Sequence, residues 1–148
     1  MAELKESAGL RGVFKMSVYK EEGGNRRLVE TFEADNVIVD AARVSMARLI
    51  AGDVGGRSMQ SIAFGTDGAE PDAEIANPFV KGLDGADCSE GGRARFSWSL
   101  STSEANGLAI MKFGLLTGDG ALFCRRTRAA PINKESDISL EGTWTIIF

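Results

Sequence analysis

The most regular alternation of apolar and polar residues in this chain lies between Arg93 and Arg126. From Phe96 to Leu100 large apolar residues alternate with serines, which is typical of a strand with one buried face. From Leu108 to Leu116 nearly every residue is apolar, which predicts a strand buried on both faces. Asn-Gly and Asp-Gly pairs, which favour tight turns, follow the first and second of these segments. The pattern therefore predicts a three-stranded meander with strands at 96–100, 108–116 and 121–126.

Alternation on either side of the meander predicts the remaining strands. Residues 10–20 and 28–34 are expected to form an N-terminal hairpin around a Gly-rich turn, and 61–66 a short strand. A final strand from Ile138 directs every second residue, Phe148 included, towards the core. Between the meander and that strand, 125–137 is expected to be a connector. The predicted core comprises Phe96, Trp98, Leu100, Leu115, Trp144 and Ile146.

One helix is predicted near residues 40–51, with Asp40 as its N-cap and Gly52 in the left-handed conformation that ends many helices. Its apolar side is expected to comprise Ile38, Val39, Ala42, Met46, Leu49 and Ile50, with Ala41, Ser45 and Arg48 opposite. We interpret this stripe as packing over the end or face of a sheet, and a groove for a partner is the alternative.

The fold class that follows is mainly β, an antiparallel β-sandwich (jelly-roll-like or barrel-like) with that one helix. At 148 residues with 43% hydrophobic residues, the chain is expected to be a single domain over 1–148, with 1–9 as a loose arm. No signal peptide or membrane-length apolar run is evident, so we expect folding in a cytoplasm and no membrane contact.

Composition argues against several functions. The net charge of −4 disfavours nucleic acid as a partner, and the absence of histidine removes the commonest general base and metal ligand. Cys88 and Cys124 are the only thiols, and we expect both to be reduced. The sequence therefore predicts a protein that is not an enzyme, with no cofactor, no metal and no catalytic residue.

Three local patterns could indicate a catalytic or binding site. Four carboxylates between Asp67 and Glu74 lack the spacing of an EF-hand and are interpreted as a solvated loop. Ser17 and Lys20 match the letters S-x-x-K, but on a strand they point to opposite faces. Trp98, Trp144 and Tyr19 offer rings for stacking on sugars, although the alternation places both tryptophans in the core.

The segment 67–92 has no clear periodicity, and long irregular segments tend to make contacts. A positive cluster follows Cys124 and suits either an acidic patch on a neighbouring subunit or a solvated sheet edge. Together these features predict a subunit contact made by Phe79, Val80, Leu83, Arg125, Arg126, Arg128 and Lys134.

The order of short motifs over about residues 12–148 resembles the small virion-associated proteins of tailed bacteriophages and prophages, often labelled tail or tail-fibre proteins. The similar segments are Asn36-Val37-Ile38-Val39, Ser61 to Thr66, Glu104 to Gly107, Phe113 to Leu116, Asp119-Gly120, Leu122-Phe123 with Arg125, Lys134 with Ser136 to Ile138, and Leu140 to Phe148. Two positions depart from this pattern: Lys112, where an acidic residue is expected on an outward face, and Cys124, where a small apolar one is expected in a packing position.

The resemblance implies a structural protein of a bacteriophage virion, most simply a tail or tail-fibre-attachment subunit. A capsid-decorating or cement protein is the alternative, and a host-surface carbohydrate-binding module is a second alternative of another class. The expected partners are other virion proteins and copies of the chain itself, assembled in the cytoplasm of the host bacterium.

Overall fold

Two antiparallel sheets of five strands each form a β-sandwich that is not closed into a barrel. The computed structural model describes residues 10–66, 75 and 78–148. The elements are β1 (Arg11–Glu22), β2 (Asn25–Asp35), β3 (Val37–Ile38), α1 (Asp40–Ile50), β4 (Met59–Gly65), β5 (Phe79–Gly82), β6 (Gly85–Asp87), β7 (Arg93–Leu100), β8 (Ala109–Thr117), β9 (Leu122–Asn133) and β10 (Ile138–Ile147). The first sheet has the order β2-β1-β10-β7-β6, and the second has the order β3-β9-β8-β4-β5. The expected antiparallel sandwich with one helix is confirmed.

The predicted meander is wrong at its first connection. Strands β7 and β8 lie in different sheets, so the chain crosses the sandwich between Leu100 and Ala109 instead of forming a hairpin. Within that crossing, Glu104 accepts a hydrogen bond from the backbone of Ser101, and Ala105 adopts a positive φ of 57°. The second connection is the expected hairpin, since β8 pairs with β9. The alternation of apolar and polar residues indicates which face of a strand is buried, but it does not indicate which strand pairs with it.

Strand β8 is buried on both faces, as expected. Phe113 and Leu115 belong to the main core, while Ile75 packs in a second apolar cluster with Leu122 on the other side of the sheet. Lys112 is fully buried, which corrects the expectation that it occupies an outward face.

The N-terminal hairpin is confirmed as β1 and β2, but the expected connector at 125–137 is largely strand. Strand β9 continues to Asn133 and pairs again with β8 at Ile132 after an interruption that begins beyond Thr127. Pro131 lies within the interruption, where proline does not remove a ladder hydrogen bond. Pro131 therefore lies at a bulge within β9 and does not end the strand.

The core is built around stacked aromatic rings contributed by both sheets. Phe14 contacts Trp98, Phe113 and Trp144 at centroid distances of 5.5, 4.6 and 4.8 Å. Of the predicted core residues, Trp98, Leu100, Leu115, Trp144 and Ile146 are buried and Phe96 is half-buried. Phe148 does not face a closed core as expected. It is 63% exposed, because the sandwich is open where β10 ends.

Helix α1 follows the prediction in extent, and the side that it turns towards the sheets is largely the predicted apolar side. Val39 and not Asp40 is the N-cap, and Gly52 has the expected positive φ of 90°. The buried residues of the helix are Ala42 and Ser45, whereas Ile50 is 89% exposed. The helix lies against β9 with Met46 and Leu49 half-buried, so only Ser45 and Ile50 depart from the predicted sides.

A single side-chain amide links the two sheets where the chain passes from β2 to β3. The indole Nε1 of Trp144 donates to Oδ1 of Asn36 at 2.8 Å, and the backbone N–H of Asn36 donates to the carbonyl of Gly12 at 3.1 Å. A Cβ on residue 12 would lie 1.8 Å from Oδ1 of Asn36, so only glycine leaves room for the amide.

The segment 67–92 contains two short strands that periodicity did not reveal. Strand β5 pairs with β4 at the edge of the second sheet, and β6 pairs with β7 at the edge of the first. The acidic stretch from Asp67 to Glu74 lies outside the described residues, so its interpretation as a solvated loop stays a prediction.

The substitution Gly142→Ala tests the register at the centre of the first sheet. An added Cβ would lie 2.0 Å from the carbonyl oxygen of Lys15, so we expect a loss of about 2–3 kcal/mol in the free energy of unfolding. Gly85→Ala in β6 is the control, because its Cβ would meet nothing within 4 Å. Equal unfolding midpoints in urea for the two variants would contradict the assigned register.

Candidate contact surfaces

An open apolar groove of about 380 Å³ lies at one end of the sandwich, and we call it the end groove. Both sheets and the helix contribute to it, so it marks the place where the sandwich is not closed. Its main apolar lining residues are Met46, Leu49, Met59, Phe96, Phe123, Ile146 and Phe148.

The end groove exists because one of its walls is lined by small side chains, which do not fill the space. Ala86 and Ala94, from β6 and β7, leave space opposite the helix. Two further apolar side chains extend into solvent beyond the C-terminal part of α1: Ile50 is 89% exposed and Val54 is 61% exposed. Exposed apolar side chains and an open apolar depression are both typical of surfaces that bind a protein partner.

The connection between α1 and β4, which borders the end groove, is held by an ion-pair network. The guanidinium of Arg57 lies 2.7 Å from the carboxylate of Asp119 and 3.6 Å from that of Asp53. A hydrogen bond from the Thr117 hydroxyl, followed by one from the backbone of Ala121, lowers the pKa of Asp119. These contacts fix this connection against the β8–β9 turn.

The predicted arginine cluster makes most of its contacts within the chain. Arg128 forms an ion pair with Glu30 at 3.0 Å, and Arg126 donates to the backbone carbonyl of Asp35 at 3.0 Å. Both guanidiniums lie over the ring of Phe32, at 5.5 Å for Arg126 and 5.1 Å for Arg128. These two arginines therefore connect β9 of one sheet to β2 of the other. Their part in a subunit contact stays a prediction.

Lys134 also differs from the expectation, because it is fully buried. Its Nζ donates to Oδ1 of Asn106 at 2.7 Å and to the backbone carbonyl of Glu135 at 3.1 Å. Burial lowers the pKa of Lys134, although the carboxylates of Glu104, Asp137 and Glu135 oppose this effect. Lys134 therefore supports the β7–β8 crossing and adds no charge to the surface.

The remaining predicted contact residues divide by exposure. Phe79 and Leu83 are partly buried and pack against the main core, which explains their retention in a glycine-rich segment. Val80 is 47% exposed and Arg125 is partly exposed. For Val80 and Arg125, the role in a subunit contact stays a prediction.

A second depression, of about 460 Å³, lies on the outer face of the first sheet and contains four cationic side chains. Those side chains belong to Arg11, Lys15, Arg93 and Arg95. Carboxylates neutralise three of them in exposed pairs, which join Arg11 to Asp35, Lys15 to Glu33 and Arg95 to Glu90. Arg93 is the remaining cation, so the depression has little of the uncompensated positive charge with which proteins bind phosphate backbones.

The residues proposed for sugar stacking are poorly placed for that role. Trp98 and Trp144 are 1% and 0% exposed, and Arg26 lies over the Tyr19 ring at 3.5 Å. Within the described part of the chain, no three His, Cys, Asp or Glu residues are grouped closely enough to bind a metal ion. No helix in those ranges is both long and apolar enough to cross a bilayer.

Sequence reasoning did not locate the end groove, because its lining comes from six elements that are distant in the chain. The available signal was the apolar stripe of the helix, for which a partner groove was the alternative interpretation and from which Met46 and Leu49 line the end groove. Comparisons with protein-family models, curated proteins and solved structures find no match.

The substitution Arg128→Met tests whether the arginine stabilises the fold. We expect a loss of about 1–2 kcal/mol in the free energy of unfolding, because the variant removes a mostly buried cation from a partly exposed carboxylate. Arg93→Met is the matched control, since Arg93 is exposed and has no ion pair among the described residues. Unfolding in urea should separate the two variants, and an unchanged midpoint for Arg128→Met would refute the role.

Thiol labelling tests the placement of the two cysteines. Cys88 is exposed and Cys124 is buried, both are free, and burial raises the pKa of the Cys124 thiol. We expect one thiol to react in the native protein and both to react after denaturation without reductant. Mass spectrometry of the labelled peptides identifies each site, and rapid native labelling of Cys124 would be inconsistent with its burial.

Proposed function

We propose that this chain is a non-enzymatic structural subunit of a bacteriophage virion, located in the tail or at the attachment of a tail fibre. The resemblance in motif order supports the type of particle, and the end groove supports a role in assembly. The end groove is the observation that carries the proposal, because it exposes apolar surface that a partner would cover.

The described surface favours protein contacts over the alternatives. Both tryptophans that a sugar-binding surface would use are buried, and carboxylates pair with three of the four cations in the depression. A capsid-decorating subunit needs the same kind of surface, so fractionation of particles must separate these two roles.

Purified particles from an infected or induced host provide the test. After separation of tails from capsids, quantitative mass spectrometry should find the chain in the tail fraction at a constant number of copies. Recovery with capsids would favour the decorating role instead. Absence from both fractions would overturn the proposal.

The contribution of the end groove is tested by placing a charge in it. Phe148→Glu should reduce incorporation into particles about tenfold or more while the free subunit stays folded, because a partner would have to bury the carboxylate. Val44→Glu is the matched control: Val44 is 56% exposed on α1 and does not line the groove. Equal incorporation of the two variants would remove the groove from the assembly contact.

A further inference from the structure

The outer edge of β2 is the longest unpaired sheet edge in the described part of the chain. Strand β2 has 11 residues and ends the first sheet, whereas β3, β5 and β6 have two, four and three. Natural sheets protect their edges by short strands, lysine, proline or bulges. The unpaired part of β9 contains Pro131 and an interruption in pairing, but β2 contains neither proline nor lysine and has one bulge against β1.

The direction of the free backbone groups follows from the ladder between β1 and β2. Asn36 donates its N–H to the carbonyl of Gly12, which makes these residues a hydrogen-bonded pair. Because such pairs alternate along antiparallel strands, Thr31, Glu33 and Asp35 direct their N–H and C=O groups away from β1. The hydrogen bond from Arg126 to the carbonyl of Asp35 agrees with this direction. The groups of Thr31 and Glu33 therefore face outwards.

The side chains along this edge are self-complementary. On the outer face of the strand, Arg26 lies in its first half, and Glu33 and Asp35 lie in its second half. The bulge beside Leu28 places Arg27 on the opposite face, with Lys20. An antiparallel pairing of two β2 strands centred near Thr31 places the basic half of each copy beside the acidic half of the other. A parallel pairing would oppose like charges instead.

The centre of the same edge is apolar and exposed. Leu28 is 50% exposed and Val29 is 42% exposed, and a second strand would cover both. Glu30 lies near the two-fold centre but is already neutralised by Arg128, so two copies of it do not repel each other strongly.

We infer that the outer edge of β2 binds β2 of a second copy of this chain, antiparallel, joining two first sheets into one continuous sheet. The contact is isologous, since the same strand supplies both sides of it. It differs from the contact predicted around Arg126 and Arg128, because those side chains act within the subunit. The inference stands on the edge geometry and does not depend on a virion role.

Backbone pairing is tested with Thr31→Pro, which removes an outward N–H without removing one from the ladder with β1. Thr31→Val is the matched control and keeps that N–H. Sedimentation velocity at subunit concentrations from about 1 to 200 µM should show dimers of the wild type and of Thr31→Val, and monomers of Thr31→Pro. Only monomers of the wild type, or dimers of folded Thr31→Pro, would overturn the inference.

The antiparallel register is tested by charge exchange. Arg26→Glu and Asp35→Arg should each weaken dimerisation about tenfold, and the double variant should recover wild-type affinity within about threefold. Arg43→Glu on the exposed face of α1 controls for the change in net charge. Failure of the double variant to recover would refute this pairing, and these variants decide the question if Thr31→Pro fails to fold.

The result is separable from the proposed function. A chain that dimerises through β2 but is absent from particles leaves this inference intact and removes the virion role. A virion subunit that stays monomeric in solution, and whose incorporation is unaffected by Thr31→Pro, would leave the proposed function intact and overturn this inference.

Discussion

The hydrogen bond from Trp144 to Asn36 holds the chain in place at the point where it leaves the first sheet for the second. Trp144 lies at the centre of the first sheet, and Asn36 lies where the chain leaves that sheet for the second. An unpaired indole N–H at this depth would cost about 1–3 kcal/mol. Because Asn36 is also tied to Gly12 through its backbone, one amide determines where β1, β10 and the β2–β3 passage lie relative to each other. The ring contacts of Phe14 with Trp98, Phe113 and Trp144 then pack around that arrangement.

Hydrophobic alternation predicted most of the strands and nearly all of the core, since both depend on which residues avoid water. It could not predict which strands pair, so β7 and β8 were wrongly joined in one sheet. It also failed for side chains whose environment is set by distant residues. Arg126 and Arg128 contact β2, and Lys134 bonds to Asn106; neither partner can be inferred from local sequence. The end groove could not be predicted for the same reason.

The segments that resemble the phage family are largely those that determine the fold. Asn36 and Trp144 form the link between the sheets, Asp119 fixes the β8–β9 turn, and Phe113 lies in the aromatic core. Of the proposed contacts, the exposed edge of β2 lies outside those segments, whereas Phe123, Ile146 and Phe148 of the end groove lie inside them. The two proposed contact surfaces therefore differ in how closely they are tied to the segments that determine the fold.

The position of β10 in the first sheet has a consequence for biosynthesis. Strand β10 comes last in the sequence, yet it lies between β1 and β7 and pairs with both. While a ribosome is still adding these residues, β1 and β7 have no strand between them and the central indole of Trp144 is missing. The first sheet is thus completed only after the rest of the domain has emerged, and pairs as distant as Arg11 and Ile147 must meet. Such long-range closure slows folding and prolongs the exposure of strand edges in the nascent chain.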